Sequence, residues 1–393
     1  MAKTTAPTNV AKSNRKWIIG YSIAGLLLFI TYQFLLPWEG LPLGIYDAIY
    51  QWMPPTAINE SLVYIIMALG LNIVVGYAGL LDLGYVAFWA IGGYCAGWFM
   101  SEFFYFLNIN FLGSVPAEAP GIHINFWMVL LIGGFICALF GILIGAPTLR
   151  LKSDYLALVT LGFGEIIPQV FFNGENFFGY NISNGTKGIV QVDPIPVGVK
   201  NLGAFDFGWK LLIFLFLTAV MVFISLRLRR GRLGRAWLAI REDELAASMM
   251  GVPLMRTKLS AYAVGAFAGG LGGVAFATHV NGVYAERFNF TISIFLLAMV
   301  VLGGMGNVWG VILGAFILSW VNGNGLTAFG QLYNDRFGTD IDFASFTFLL
   351  FGLVLILMML FKREGLLPES RLKLMLHEDE LDDAKATSKS GDK

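Results

Sequence analysis

Apolar residues fall in long runs along this chain, and polar residues crowd into the gaps between them. The clearest runs cover residues 17–36, 126–146, 155–172, 209–226, 259–278 and 346–361. A bilayer core about 30 Å thick needs about 20 apolar helical residues, so each run predicts a membrane-spanning helix. Two further apolar regions are interrupted by glycines: residues 62–100, broken at 76–84, and residues 292–321, broken at 303–310. Reading each as two spans gives about ten helices, and reading them as re-entrant pairs lowers the count towards about eight without changing its parity. The first run is too long for a signal-peptide core and no small-residue cleavage site follows it, so it reads as an uncleaved anchor. The pattern predicts an all-α polytopic membrane protein with Gly-broken helices in both halves.

Composition excludes the soluble alternative. Hydrophobic residues make up 57% and charged residues 13% of the 393, with a mean hydropathy of +0.70; soluble domains carry about 25% charged residues. The formal net charge of zero conceals an asymmetry. With the N-terminus inside, the inner segments 1–16, 147–154, 227–258 and 362–393 hold four, two, eight and seven Lys or Arg, which is 21 of 26. Orientation follows such cations, so both termini are expected inside. Trp17, Trp98, Trp127, Trp209 and Trp320 fall at predicted span ends, where indole rings favour the headgroup layer. The chain thus divides into an inner tail (1–16), a membrane domain (17–361) that includes the inner segment 227–258, and a second inner tail (362–393). Membrane lipid is the expected surrounding partner, and nothing in the charge pattern points to nucleic acid. Cys95 and Cys137 lie in apolar stretches and read as small buried residues, while His123, His279 and His377 are too scattered for a metal site.

Two acids stand in apolar surroundings, Asp82 in a Gly-Leu-Leu-Asp-Leu-Gly stretch and Glu165 after Gly162 and Gly164. A carboxylate at membrane depth is costly unless paired, protonated or wetted, so each reads as a pathway group or as a cap on a broken helix. The two interrupted regions correspond. One passes through Gly76, Gly79, Asp82 and Gly84, the other through Gly303, Gly304 and Gly306. Broken apolar helices in matching positions of two halves point to a transport site near the midplane. Other glycines, such as Gly265, Gly269 and Gly273, have the spacing of close helix packing.

Between two predicted spans, residues 227–258 exceed a simple turn. Strong helix formers run from Arg235 to Met250, and Gly251 with Pro253 supplies a stop. The expected element is one helix of about four turns carrying Glu242, Asp243 and Glu244 and the small residues Ala246 and Ala247. It suits docking to a partner. The sequence holds no phosphate-binding loop, nucleophile elbow or zinc motif, so the chain is expected to be no enzyme and to hold no cofactor.

Four stretches resemble one family: Leu71 to Phe88 (LNIVVGYAGLLDLGYVAF), Pro147 to Ile166 (PTLRLKSDYLALVTLGFGEI), Gly231 to Glu244 (GRLGRAWLAIREDE) and Val301 to Gly306 (VLGGMG). The chain is similar to the LivM-type permease subunit of bacterial branched-chain amino acid ABC importers. That resemblance implies a second permease subunit, two cytosolic ATPases that hold ATP and magnesium, and an extracytoplasmic substrate-binding protein, all at the bacterial inner membrane. It makes Gly79, Asp82, Gly84, Glu165, Gly303, Gly304 and Gly306 candidates for the translocation pathway. It makes residues 235–251 a coupling helix, with Gly234, Arg235, Arg241, Glu242, Asp243, Glu244, Ala246, Ala247 and Gly251 contacting the ATPase. The E-A-A-x-x-x-G pattern of importer permeases is met at Ala246, Ala247 and Gly251, with Leu245 in the acidic place and Glu244 one position earlier. A related branch carries urea or short amides, and an ion-coupled secondary transporter using Glu165 or Asp82 is the reading of another class.

Overall fold

The computed structural model describes residues 8–35, 42–116, 118–150, 153–197, 200–203, 206–362 and 365–367. Its helices are α1 (Thr8–Ile30), α2 (Leu43–Trp52), α3 (Pro55–Leu71), α4 (Val86–Phe99), α5 (Phe126–Thr148), α6 (Ser153–Phe172) and α7 (Phe207–Arg230). They continue as α8 (Arg232–Glu242), α9 (Glu244–Met249), α10 (Leu254–Val280), α11 (Phe290–Gly303), α12 (Val308–Trp320), α13 (Leu326–Phe337) and α14 (Thr347–Phe361). Among the described residues, seven helical stretches are long and apolar enough to cross a membrane, and three shorter apolar helices, Val86–Phe99, Phe290–Gly303 and Phe343–Met358, accompany them. The long runs were legible because each exceeds the length of a soluble core helix.

Burial sorts these helices. The stretch containing α3 is 94% buried, whereas that containing α1 is 11% buried. A helix that is apolar all round fits either a core or lipid, and here α3, α4 and α10 form the core while α1 lines the rim. Close backbone approach holds the core together. The backbone of Gly273 in α10 meets the Trp89 carbonyl of α4, and a Cβ on Gly270 would stand 2.7 Å from the Gly133 carbonyl of α5. Apolar surface gains little by leaving lipid, so such small-residue contacts carry helix association inside a membrane.

The membrane framework is helical as expected, and short strands are added to it outside the helices. At the end opposite the Arg-rich segment 227–258, the loops form short strands: β1 (Met100–Ser101), β2 (Asn108–Phe111), β3 (Gly121–Ile124), β4 (Ile189–Val190), β5 (Ile195–Val197), β6 (Lys200–Leu202) and β7 (Gly282–Val283). They make a three-stranded sheet in the order β1-β3-β2 and two ribbons, β4-β7 and β5-β6. Strands of two to four residues leave no readable alternation. His123 of β3 and Asp193 fasten this layer, with Nδ1 2.9 Å from the carboxylate and both side chains nearly inaccessible. Burial raises the Asp193 carboxyl above its usual range, and His123 beside it offsets part of the rise.

Candidate functional site

The first break starts where α3 closes in a wide π-type turn, Asn72–Tyr77. A helix C-terminus leaves carbonyls without intrahelical partners and favours nearby cations. Here the Arg241 guanidinium of α8 donates to the Gly76 carbonyl. Arg229, at the end of α7, lies 5.9 Å over the Tyr77 ring. Gly79 has φ +69°, and a Cβ there would stand 2.9 Å from Arg241 Cγ, so both backbone and space require glycine.

From Ala78 the chain runs without helix until α4 begins at Val86. Side chains satisfy three amides at its far end. Asp82, 1% exposed, accepts from Gly84 N at 2.9 Å. Leu83 N donates to Thr160 Oγ1 at 3.1 Å, and Val86 N to Ser293 Oγ at 3.0 Å. The Tyr262 phenol of α10 stands beside the Asp82 carboxylate. A Cβ on Gly164 would stand 2.9 Å from Gly84 Cα, and Gly84 abuts the Thr160 carbonyl. Thr160 and Gly164 lie about half-way along α6, so α4 starts at mid-depth as a half-helix.

The second break differs from the first. It is a tight turn in which Gly304 (φ +109°) and Gly306 (φ +87°) take backbone conformations open to glycine. Leu366 N and Leu367 N donate to the Leu302 and Gly303 carbonyls at 2.8 and 3.2 Å. Residues 365–367 thereby cap the C-terminus of α11. Gly306 N donates to Asn72 Oδ1 at 2.8 Å, which joins the two breaks. The sequence pattern treats the breaks as equivalent midplane features. In the structure Gly306 is tied to the end of α3 and Gly303 to Gly310 of α12, while Gly84 is tied to the middle of α6 and Asp82 stands beside Tyr262 of α10.

Glu165 follows Gly164 and is exposed on α6. It lines an open cavity of about 410 Å³ with Ile166, Gln169, Val170, Asn173 and Phe177.

The segment expected as one helix is two, meeting at Asp243 with φ −155° and ψ 112°. The reason is capping: Asp243 Oδ1 accepts from Leu245 N and Ala246 N at 2.8 and 2.9 Å. Aspartate competes poorly inside a helix and well at its start. Glu244 pairs with Lys258 of α10 at 2.6 Å. Trp237 of α8 donates from Nε1 to the Thr257 carbonyl and Ser260 Oγ, both at 3.0 Å. Gly234 lies against the Leu228 and Arg229 carbonyls, Arg235 donates to the Arg230 carbonyl at 3.1 Å, and Gly251, at φ +84°, ends the unit. Ala247 is buried, whereas Glu242, Asp243 and Ala246 are exposed.

Asp243 and Glu244 are therefore committed within the chain. The surface left outward on α9 and just beyond it is apolar, with Leu245, Met249 and Met250 being 68, 78 and 85% exposed. Asn72, Thr160, Tyr262, Leu245 and the two methionines are the site residues that sequence patterns did not single out. Asp243→Ala is expected to cost α9 about 1 kcal/mol, the value of an N-cap. Hydrogen exchange at Leu245 and Ala246 measures it, and unchanged protection would remove the capping role.

A core of broken helices, bound at one end to a short helix pair that exposes an apolar tip, defines a polytopic helical membrane protein of the transport type. The chain belongs to the family of branched-chain amino acid transport system permease components, whose match covers residues 54–360. It is 38% identical over 337 residues to the high-affinity branched-chain amino acid transport system permease protein LivM of Escherichia coli, covering 80% of this chain and 70% of the relative. It is 26% identical over 326 residues to a probable LivM of Methanocaldococcus jannaschii, covering 78% and 90%. It is 24% identical over 319 residues to the permease protein BraD of Pseudomonas aeruginosa, covering 77% and 91%. No solved structure matches.

Proposed function

We propose that this chain is a transmembrane permease subunit of an ABC importer that brings branched-chain or other neutral amino acids across the bacterial inner membrane. The Lys and Arg distribution orients it with both termini and α8–α9 in the cytoplasm. Two cytosolic ATPases supply the chemistry, a second permease completes the pathway, and an extracytoplasmic binding protein delivers substrate. The relatives' function, branched-chain amino acid transport, supports the substrate class.

The observation that carries the mechanism is the Arg241 contact with Gly76. It joins the helix pair facing the cytoplasm to the turn that closes α3 at the first break. Leu245, Met249 and Met250 enter a groove of one ATPase subunit, because exposed flexible apolar side chains suit such grooves. When ATP closes the ATPase pair, α9 moves. Trp237 and the Glu244–Lys258 pair carry α8 and α10 with it, and Arg241 carries the end of α3. The break then repositions the start of α4 against α6, where the pathway lies.

Affinity purification from native membranes, followed by mass spectrometry, tests the assembly. Recovery of a second permease and two ATPases is the expected result. A chain that comes away alone, even after crosslinking, would contradict it.

A further inference from the structure

Glu165 makes no hydrogen bond or ion pair among the described residues, although it sits well inside an apolar helix. It lies seven residues from the end of α6 at Phe172, which is about 10 Å of helical rise. Gln169 and Asn173 follow at four-residue intervals, so the three polar side chains form one stripe running from Glu165 towards the outer end. The same face of α6 carries Tyr155 and Leu158 towards its inner end, both exposed and suited to lipid, so the polar stripe begins where that apolar stretch ends. An ionised carboxylate against hydrocarbon is costly, so this stripe faces water or a polar occupant.

The open cavity along the stripe has a distinct chemistry. One carboxylate stands at its inner end, two amides lie outward of it, and Ile166, Val170 and Phe177 supply apolar wall, with no cation among its lining residues. Its volume of about 410 Å³ exceeds what a single aliphatic amino acid fills.

We propose that this cavity is an outer way-station for the zwitterionic substrate, in which Glu165 binds the α-ammonium group and Ile166, Val170 and Phe177 hold the aliphatic side chain. The proposal rests on the permease reading above and adds a ligand atom and a residue to it. Glu165 neighbours Gly164, which lies against Gly84 where α4 begins. Movement of the break therefore shifts the helix that holds the ammonium group, linking occupancy of the site to the coupling route. The amides of Gln169 and Asn173 contribute polar contacts during entry without holding charge.

Charge-selective labelling tests this without relying on transport. Both native cysteines are buried, so Gln169→Cys and Asn173→Cys each place one accessible thiol in the stripe, with Leu158→Cys, two turns inward of Glu165 on the same face, as the apolar control. In the intact importer in proteoliposomes, externally added trimethylammonium-ethyl methanethiosulfonate is expected to modify Gln169→Cys about tenfold faster than the anionic sulfonate reagent. Adding Glu165→Gln should abolish that preference, and Glu165→Asp should keep most of it. In the same vesicles, Glu165→Gln should lower the kcat/KM for L-leucine about tenfold or more, the loss of one charge-assisted hydrogen bond.

Labelling no faster than at Leu158→Cys, or no charge preference, would overturn the ammonium site. So would recovery of Glu165 in an ion pair with a basic residue of the second permease. Wild-type vesicles that import no leucine with ATP would overturn the permease reading instead, so the two failures are distinguishable.

Discussion

Arg241→Ala is expected to leave ATP hydrolysis by the assembled importer running while leucine import falls about tenfold to a hundredfold. The range follows from the worth of a hydrogen bond to a charged donor. The Gly76 carbonyl lies at a helix end where no intrahelical donor reaches it, and Arg241 bridges 165 residues of sequence to supply one. Without that guanidinium, α8 still docks through Trp237 and α9 still pairs with Lys258. The helix pair can then move with the ATPases while the break stays behind. Arg241→Lys should fall between the two, because a single ammonium keeps the charge and loses the planar fork. The comparison is moles of leucine imported per ATP hydrolysed. An unchanged ratio for Arg241→Ala would remove this contact from the coupling route.

Gly84→Ala is the second large effect, and it is expected to act on stability as well as transport. Its Cβ would enter the Thr160 carbonyl, and backbone on both sides leaves no flexible side chain to yield. Overpacking of this kind costs about 3 kcal/mol, at the upper end for an added methyl group. Gly162, on the same helix as Thr160, has nothing within 4 Å of where a Cβ would lie. Gly162→Ala should therefore be neutral or slightly stabilising, since alanine loses less backbone freedom than glycine in a helix. Thermal unfolding in detergent separates the two variants. Equal Tm values would show that α4 and α6 do not meet through Gly84.

The membrane character and the approximate helix positions were legible because they depend on local composition. The run at 126–146 appears as α5 at Phe126–Thr148 and the run at 209–226 as α7 at Phe207–Arg230, each with ends extended by polar or basic residues. The broken regions were legible too, because glycine density marks them. What the sequence could not display was which partners complete each break. Asn72 reads as an ordinary residue of an apolar helix until Gly306, 234 positions away, is placed against it. Residues 365–367 read as the start of a charged tail, yet their amides close the end of α11. The kink at Asp243 was missed because helix propensity favours continuity from Arg235 to Met250, and a single N-cap overrode it. The acidic cluster drew attention through its charge, while the exposed apolar group of Leu245, Met249 and Met250 beside it did not.

Leucine uptake into proteoliposomes bears most directly on ATP-driven import through this chain. The vesicles should hold the chain with its co-purified permease and ATPases, with ATP inside and the binding protein outside. Uptake is expected to require ATP and the binding protein, and to persist when a protonophore abolishes the proton gradient. Uptake by the chain alone, indifferent to ATP and collapsed by the protonophore, would contradict the ABC importer and make Glu165 or Asp82 the coupling group of an ion-driven transporter.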